Sequence, residues 1–303
     1  MKTYAHLFAK LFAQPLMLHA PVRQSFENVL LAKMRGEAVP VASAVSPTPA
    51  RAEVGEPGRP IEDWLRISRD IRATRQLIRL EDVYQRYGNV AVVKIHGVID
   101  KVLTQFEMDC YGGCDLQDID RALSMAANDP RVTHVILDIH SPGGSCVGLK
   151  ETAGRIAELR SSKEVHAYIA GMACSAGYYL ASQADLISAG DSAIVGSIGV
   201  YIAVLDASRW YQDEGINVQV LKAGEYKTMG AQWRALTDAE KSYLQAGVDE
   251  CYADFKAAVT RLRNVEDSTM QGQWMNGKEG HKLKLVDRLT GATLDEYVSA
   301  LIG

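Results

Sequence analysis

The chain has 303 residues, of which 47% are hydrophobic and 23% charged, and its formal net charge is −4 at pH 7. This length suits one large domain or two modest ones, and the composition is that of an ordinary globular protein. The small negative charge excludes a general electrostatic attraction to nucleic acid or to an anionic membrane. No run of about 18 apolar residues is present, so we expect no membrane anchor.

The five cysteines are odd in number and scattered, at positions 110, 114, 146, 174 and 251. They form neither the even set of a disulfide framework nor, with the histidines, the spacing of a zinc site. The first 20 residues are interrupted by Lys10, Gln14 and Pro15, so they lack the continuous apolar core of a signal peptide. We therefore expect a cytoplasmic protein in a reducing compartment, with no bound metal and no cofactor.

Three segments precede the regular part of the chain. Residues 1–38 carry two apolar stripes at helical spacing and predict an N-terminal helical segment. Residues 39–60 hold five of the nine prolines and predict an extended linker. Residues 61–87 predict an arginine-rich helix whose acidic residues nearly balance its charge, which favours a solvated face over a nucleic-acid surface. We place the main domain at residues 61–303.

From Asn89 onward, apolar runs of strand length alternate with amphipathic runs of helix length. Strands are predicted at 90–95, 132–139, 165–170, 186–188, 194–195, 200–205 and 218–221. Helices are predicted at 116–128, 147–161, 175–184, 207–214 and 294–301, with a long helix opened by the capping box Thr237-Asp-Ala-Glu240. This alternation predicts the α/β class, with a largely parallel sheet surrounded by helices.

The junction Gly171-Met-Ala-Cys-Ser-Ala-Gly-Tyr-Tyr179 places one hydroxyl, that of Ser175, among small residues between a strand and a helix. Such a turn presents a nucleophile next to backbone N–H groups and the positive end of a helix. The simpler interpretation is that Ser175 only caps the helix. If Ser175 is a nucleophile, the N–H of Ala176 and the glycines of the Ser-Pro-Gly-Gly turn at 141–144 are candidates for an oxyanion hole.

A serine nucleophile also needs a base. The seven histidines stand at positions 6, 19, 96, 134, 140, 166 and 281, and none lies between Ser175 and His281. Lys227, in a loop after a predicted strand, is the alternative, because a neutral amine can accept a proton and burial favours the neutral form. The Ser197 hydroxyl is a plausible group to orient that amine, although most lysines simply lie at the surface.

Four ordered motifs carry a family resemblance: Ser-Pro-Gly-Gly at 141–144, Met-Ala-Cys-Ser-Ala-Gly-Tyr-Tyr at 172–179, Gly-Ser-Ile-Gly-Val at 196–200 and Gly-Glu-Tyr-Lys at 224–227. Over roughly residues 90–290, the chain resembles the signal peptide peptidase A family of serine proteases. The run Leu7-Phe-Ala-Lys-Leu-Phe12 with Gln14-Pro-Leu-Met17 resembles the start of phage and prophage capsid-assembly (head-maturation) proteases.

The resemblance implies a Ser-Lys dyad within residues 61–303. Ser175 would be the nucleophile, Lys227 the general base and Ser197 the lysine-orienting group. Gly143 or Gly144 would supply part of the oxyanion hole, beside the Ala176 N–H already considered. It also implies a ClpP/crotonase-like βαβ superhelix that assembles into homo-oligomeric rings. The implied substrates are extended polypeptides, chiefly capsid, scaffold or portal proteins, cleaved in the bacterial cytoplasm or inside a procapsid, with no nucleic-acid partner.

Four alternatives stay open at this stage. One is a bacterial peptidase that degrades signal peptides with the same dyad. Another is a Ser-His-Asp peptidase, although this sequence lacks a histidine in the expected place after Ser175. An acyl-CoA enzyme of crotonase type would share the oxyanion turn but would need neither Ser175 nor Lys227. Finally, a capsid scaffold or structural protein could keep the fold without cleaving anything.

Overall fold

The structure, a computed structural model, describes residues 80–103 and 113–302, together with the backbone of Leu16–Leu18. The predicted proline-rich linker, most of the two predicted N-terminal helical segments and Cys110 lie outside these residues. Within them, no helix is both long and apolar enough to cross a membrane.

Thirteen strands are described: β1 Leu16–Leu18, β2 Tyr84–Tyr87, β3 Val90–His96, β4 Val98–Asp100, β5 Gly113–Asp115, β6 His134–His140, β7 Gly143–Ser145, β8 Glu164–Ile169, β9 Met172–Cys174, β10 Leu186–Ala189, β11 Ile194–Gly196, β12 Trp274–Asn276 and β13 Arg288–Leu289. Seven α-helices accompany them: α1 Leu116–Asn128, α2 Leu149–Leu159, α3 Ala176–Ala181, α4 Ser208–Asp213, α5 Asp238–Thr260, α6 Gly277–Lys282 and α7 Leu294–Ser299. Short 3₁₀ turns occupy Glu225–Thr228 and Asp267–Thr269.

The central sheet has six strands in the order β13-β10-β8-β6-β3-β2. Every neighbouring pair is parallel except β2 with β3. Because parallel neighbours are joined by crossover helices, both faces of such a sheet are covered, which explains the continuous apolar runs in β3 and β6. The prediction of an α/β fold with a largely parallel sheet surrounded by helices is confirmed.

Helices α1, α2 and α3 pack on one face of this sheet and form the main core with it. Helix α1 shows why: its buried residues recur at helical spacing, and the Asp115 side chain accepts a hydrogen bond from the Gln117 N–H at its start. Burial of a Leu or Ile such as Ile119 contributes about 1.5–3 kcal/mol. The opposite face carries a smaller apolar cluster, which α7 covers with Tyr297 and Val298.

Two small sheets stand beside the central one. The first has the order β12-β11-β9 and the second the order β1-β7-β4-β5. An isolated parallel bridge between Ser141 and Ala173 links the end of β6 to β9. These two sheets, rather than the central one, hold most of the predicted site residues at their ends.

Several sequence predictions are wrong in detail. Residues 84–87 were predicted as part of a helix, but they form β2, since they pair antiparallel with β3 at the edge of the sheet. Residues 16–18, within a predicted helical segment, form β1 on β7. The predicted strands 200–205 and 218–221 do not form. In the first run only Tyr201 makes an isolated β-bridge, and the second run is exposed and belongs to none of the described sheets.

The long C-terminal helix begins where the sequence predicts. Thr237 and Glu240 form the reciprocal hydrogen bonds of a capping box at the start of α5. Of the apolar side chains of α5, only those of Phe255 and Val259 are fully buried, so α5 packs on the core through its second half.

Candidate active site

Ser175 occupies a strained turn between β9 and α3. Its backbone has φ 54° and ψ −118°. Residues other than glycine rarely adopt this conformation, which costs of order 1–3 kcal/mol. Two bonds hold it there: the Ser175 N–H donates to the Gly196 carbonyl at 2.8 Å, and the Ser175 carbonyl accepts from the Tyr179 N–H at 2.8 Å. This is the geometry in which a strand-to-helix turn presents a nucleophile.

The Ser175 side chain does not cap α3, although the residue occupies the N-cap position. A helix leaves its first N–H groups without acceptors inside the helix, and a serine at this position ordinarily satisfies one of them. The simple cap interpretation of Ser175 is therefore wrong. The N–H of Ala176, at the first helical position, belongs to this set of unpaired donors, and Ala176 is fully buried.

Cys174 stands next to Ser175 but is a poor rival as nucleophile. Burial raises the pKa of the Cys174 thiol to about 12. Because the thiolate is the reactive form of cysteine, this thiol is inert near neutral pH. Its Sγ lies 3.8 Å from the Ile194 carbonyl oxygen, which it contacts as a weak donor.

Ser197 lies beside Ser175 at the ends of two paired strands. Parallel pairing of β9 with β11 sets Cys174 opposite Gly196, so the residue that follows each strand is a serine. Ser197 also has a positive φ, 53°, and its N–H donates to the Gln273 carbonyl at 2.7 Å. Since neighbouring strands lie about 4.8 Å apart, the two serines are adjacent. The sequence placed them 22 positions apart, and the structure brings them together.

The Ser-Pro-Gly-Gly turn flanks the other side of β9. The Ser141 N–H donates to the Met172 carbonyl at 2.8 Å, and the Cys174 N–H donates to the Ser141 carbonyl at 3.0 Å. A Cβ on Gly144 would lie 1.8 Å from the Ile99 carbonyl oxygen, so only glycine fits at that position. Gly143 has φ 107°, which also favours glycine. The predicted oxyanion residues Gly143, Gly144 and Ala176 thus surround the Ser175 turn.

Ser141 has a positioning role that the sequence reasoning did not assign. Its hydroxyl donates to the Gly97 carbonyl at 2.7 Å and accepts from the Gly143 N–H at 3.1 Å. A Cβ on Gly177 of α3 would lie 3.1 Å from the Ser141 Cβ, which shows how closely the turn and the helix approach. The available signal was the serine at the start of the turn, since its hydroxyl can bond the N–H two residues on.

Lys227 lies apart from the two serines. It is exposed in the 3₁₀ turn Glu225–Thr228, and among the described residues no hydrogen bond joins its amine to Ser175 or Ser197. The turn belongs to a segment that we call the arm, residues 207–232, closed at its base by the bond from the Ala207 N–H to the Gln232 carbonyl at 2.8 Å. The arm exposes large apolar side chains, with Leu221 102% and Trp210 54% exposed.

The arm is attached to the start of α5. The Tyr226 ring stacks on Tyr243 at a centroid distance of 5.2 Å, and Arg234 donates to the Thr228 carbonyl at 3.0 Å and to Glu240 at 2.8 Å. The Arg234 guanidinium holds the pKa of Glu240 down at about 2, so this ion pair persists at neutral pH. The position of Lys227 therefore depends on the position of the start of α5.

This attachment separates Lys227 from α3. Helix α3 meets α5 where Tyr179 packs on Phe255, at a centroid distance of 5.1 Å. Phe255 is roughly 18 Å along the α5 axis from Tyr243, at ~1.5 Å per residue. Within one chain, the structure thus places Ser175, Ser197 and the glycine turn side by side, and among the described residues no hydrogen bond joins Lys227 to them.

The described histidines have other partners. His96 Nε2 lies 2.8 Å from Asp138 Oδ2, and His134 and His166 both contact Glu164. His281 Nδ1 lies 3.0 Å from the Val286 carbonyl oxygen. In the described part of the chain, no hydrogen bond joins a histidine to Ser175, which agrees with the sequence argument against a Ser-His-Asp arrangement.

Comparison with known proteins bears on this site. Residues 157–300 match the family model described as peptidase family S49. The chain is similar to this family over 144 of its 303 residues. Ser175, Ser197 and Lys227 fall inside the matched residues, whereas the glycine turn at 143–144 precedes them. The predicted resemblance to the signal peptide peptidase A family, close to phage head proteases, is confirmed.

Two curated relatives illustrate the similarity. The capsid assembly protease C of Escherichia phage lambda is 29% identical over 214 residues, covering 69% of this chain and 48% of that protein. The chloroplastic serine protease SPPA of Arabidopsis thaliana is 32% identical over 161 residues, covering 52% of this chain and 24% of that protein. The matches thus span about half, or less, of these relatives.

A solved structure of an enoyl-CoA hydrotase/isomerase family protein from Silicibacter pomeroyi is also similar. It has 13% sequence identity and a TM-score of 0.44, with 73% of this chain and 80% of that chain covered. A likeness of this size carries no information about chemistry.

Proposed function

We propose that the protein is a serine endopeptidase with a Ser-Lys dyad. The observation that carries this proposal is the Ser175 backbone: a non-glycine residue is held at φ 54°, and its hydroxyl does not cap the helix that follows. Strain of this kind is retained where it orients a reacting group. The S49 match over residues 157–300 supports peptide bonds as the target.

The proposed reaction proceeds through an acyl-enzyme. Neutral Lys227 accepts the proton of the Ser175 hydroxyl as its oxygen attacks the scissile carbonyl carbon. The N–H groups of Ala176 and Gly144 stabilise the oxyanion, whereas the Gly143 N–H already donates to the Ser141 hydroxyl. Lys227 then gives the proton to the leaving amine, and a water molecule, activated in the same way, hydrolyses the ester. Ser197 orients the lysine amine throughout.

We propose further that the lysine comes from a neighbouring subunit of a homo-oligomeric ring. The exposed lysine on a projecting arm, the exposed apolar side chains around it and its separation from α3 all support this arrangement. Contact with a neighbour would bury the arm, and burial favours the neutral amine that a base requires. A single subunit would then be inactive, which restrains proteolysis until assembly.

Labelling with a fluorophosphonate tests the serine chemistry. In the assembled wild-type protein, we expect one covalent adduct, on Ser175, because its hydroxyl is activated and the probe's phosphoryl oxygen fits the oxyanion site. Ser182, a buried serine whose hydroxyl donates to the Tyr179 carbonyl at 2.7 Å, provides the matched control: Ser182→Ala retains labelling and Ser175→Ala loses it. An unlabelled wild-type protein would favour the non-catalytic scaffold interpretation.

For the substrate, we propose capsid, scaffold or portal proteins of a phage or prophage. The name of the lambda relative, capsid assembly protease C, supports this choice over signal peptides. Co-expression with the capsid proteins encoded nearby, followed by mass spectrometry, is expected to show processed products with wild type and none with Ser175→Ala. Intact capsid proteins in both samples, together with cleavage of signal peptides, would support the signal-peptide alternative.

A further inference from the structure

Strand β1 pairs with the edge of β7 that β4 leaves open. Leu16–Leu18 pair antiparallel with Gly143–Ser145 in the register Leu16 with Ser145, Met17 with Gly144 and Leu18 with Gly143. The opposite edge of β7 is taken by β4, through Ile99 and Gly144. Since β7 lies between β1 and β4, β1 fills the remaining edge of the turn that borders Ser175.

That edge is also where a substrate must lie if the proposed function holds. Oxyanion donors act on an oxygen about 2.7–3.1 Å away, so a carbonyl held by the Gly143–Gly144 turn belongs to a chain running beside this turn. An extended peptide commonly binds by adding a strand to an exposed sheet edge. Two chains cannot pair with the same edge, so β1 and the substrate exclude each other.

We infer that strand β1, Leu16–Leu18, occupies the place of the substrate strand within the same chain and keeps the site latent until it leaves. The inference rests on the proposed function. On this inference, the ligand of the β7 edge is an extended polypeptide that pairs antiparallel with β7. Its backbone would take the register that Leu16, Met17 and Leu18 have in this structure. Release of β1 exposes the edge, and a substrate strand then takes its place.

A reversible cross-link tests this inference in the full chain. Leu16 and Ser145 are directly opposed, and facing residues of antiparallel strands have Cα atoms about 4.5–5.5 Å apart, within the range for a disulfide. The variant Leu16→Cys/Ser145→Cys is oxidised, and cleavage of a fluorogenic peptide is measured before and after dithiothreitol. We expect at least a tenfold loss in the oxidised form and full recovery on reduction.

Two single variants, Leu16→Cys and Ser145→Cys, treated identically, control for the native cysteines and should not change on oxidation. A cross-linked protein as active as its reduced form would overturn the inference, as would failure of the two cysteines to join at all. A complementary variant, Met17→Pro, weakens β1 because proline cannot donate in a strand pair, and it should raise the rate of cleavage at least threefold.

Fluorophosphonate labelling separates this inference from the proposed function. Labelling of Ser175 only in the reduced form supports both. Equal labelling in the two forms, with equal cleavage, overturns latency and leaves the peptidase proposal intact. No labelling in either form, with wild type also unlabelled, contradicts the peptidase proposal itself.

Discussion

Mixing two inactive variants, Ser175→Ala and Lys227→Ala, is expected to restore about one quarter of the wild-type peptidase activity. Each variant alone should lose at least about three orders of magnitude in kcat, because nucleophile and base act as a unit. In a random equimolar ring, an intact Ser175 meets an intact Lys227 of its neighbour with a probability of about one half times one half. The measurement is the rate of fluorogenic peptide cleavage after subunit exchange.

The control mixture combines Ser175→Ala with the double variant Ser175→Ala/Lys227→Ala, which leaves no intact nucleophile and should stay inactive. Native mass spectrometry establishes that subunits have exchanged. Exchanged rings without activity would show that each site takes Ser175 and Lys227 from one subunit. The arm would then have to fold back over the roughly 18 Å that separates Tyr243 from Phe255 along α5.

Gly144→Ala is expected to lower cleavage at least about 100-fold, since a 1 Å misplacement of a catalytic group can cost that much. A Cβ at this position would lie 1.8 Å from the Ile99 carbonyl oxygen, so the turn must move away from β4. Overpacking of this kind also costs about 1–3 kcal/mol of folding free energy. Steady-state kinetics and thermal unfolding measure the two effects.

Gly154→Ala is the matched control for this substitution. Nothing lies within 4 Å of a Cβ built on Gly154, which is in the middle of α2. Alanine favours a helix over glycine by about 0.5–1 kcal/mol, so this variant should be slightly more stable and fully active. Wild-type kinetics and an unchanged melting temperature for Gly144→Ala would contradict the role assigned to the turn.

The sequence predicted those elements that local patterns determine. Helix α1 begins and ends where predicted, because Asp115 caps it and Asp129-Pro130 stops it. Strands β3 and β6 follow from continuous apolar runs. The capping box at Thr237 correctly marked the start of α5. The four motifs led to the family, and β9, β11 and the glycine turn place three of them side by side.

The failures have a common physical cause, which is that a strand needs a partner. Residues 218–221 alternate like a strand, but in the described part of the chain nothing pairs with them, and Leu221 is fully exposed. Residues 84–87 directly follow a helical turn in the sequence, yet they form a strand because they pair with the edge of β3. The same limit applies to Lys227: the motif identified the residue, but its distance from Ser175 depends on how α5 packs, which no local pattern encodes.

The two positive φ values at Ser175 and Ser197 have an evolutionary consequence. Each such residue costs of order 1–3 kcal/mol, while a whole domain is stable by only about 5–15 kcal/mol. The pair therefore consumes a substantial share of the margin that separates this protein from unfolding. Selection for thermal resistance alone would favour glycine at both positions and would discard the hydroxyls. The presence of serine at both positions is therefore not explained by stability.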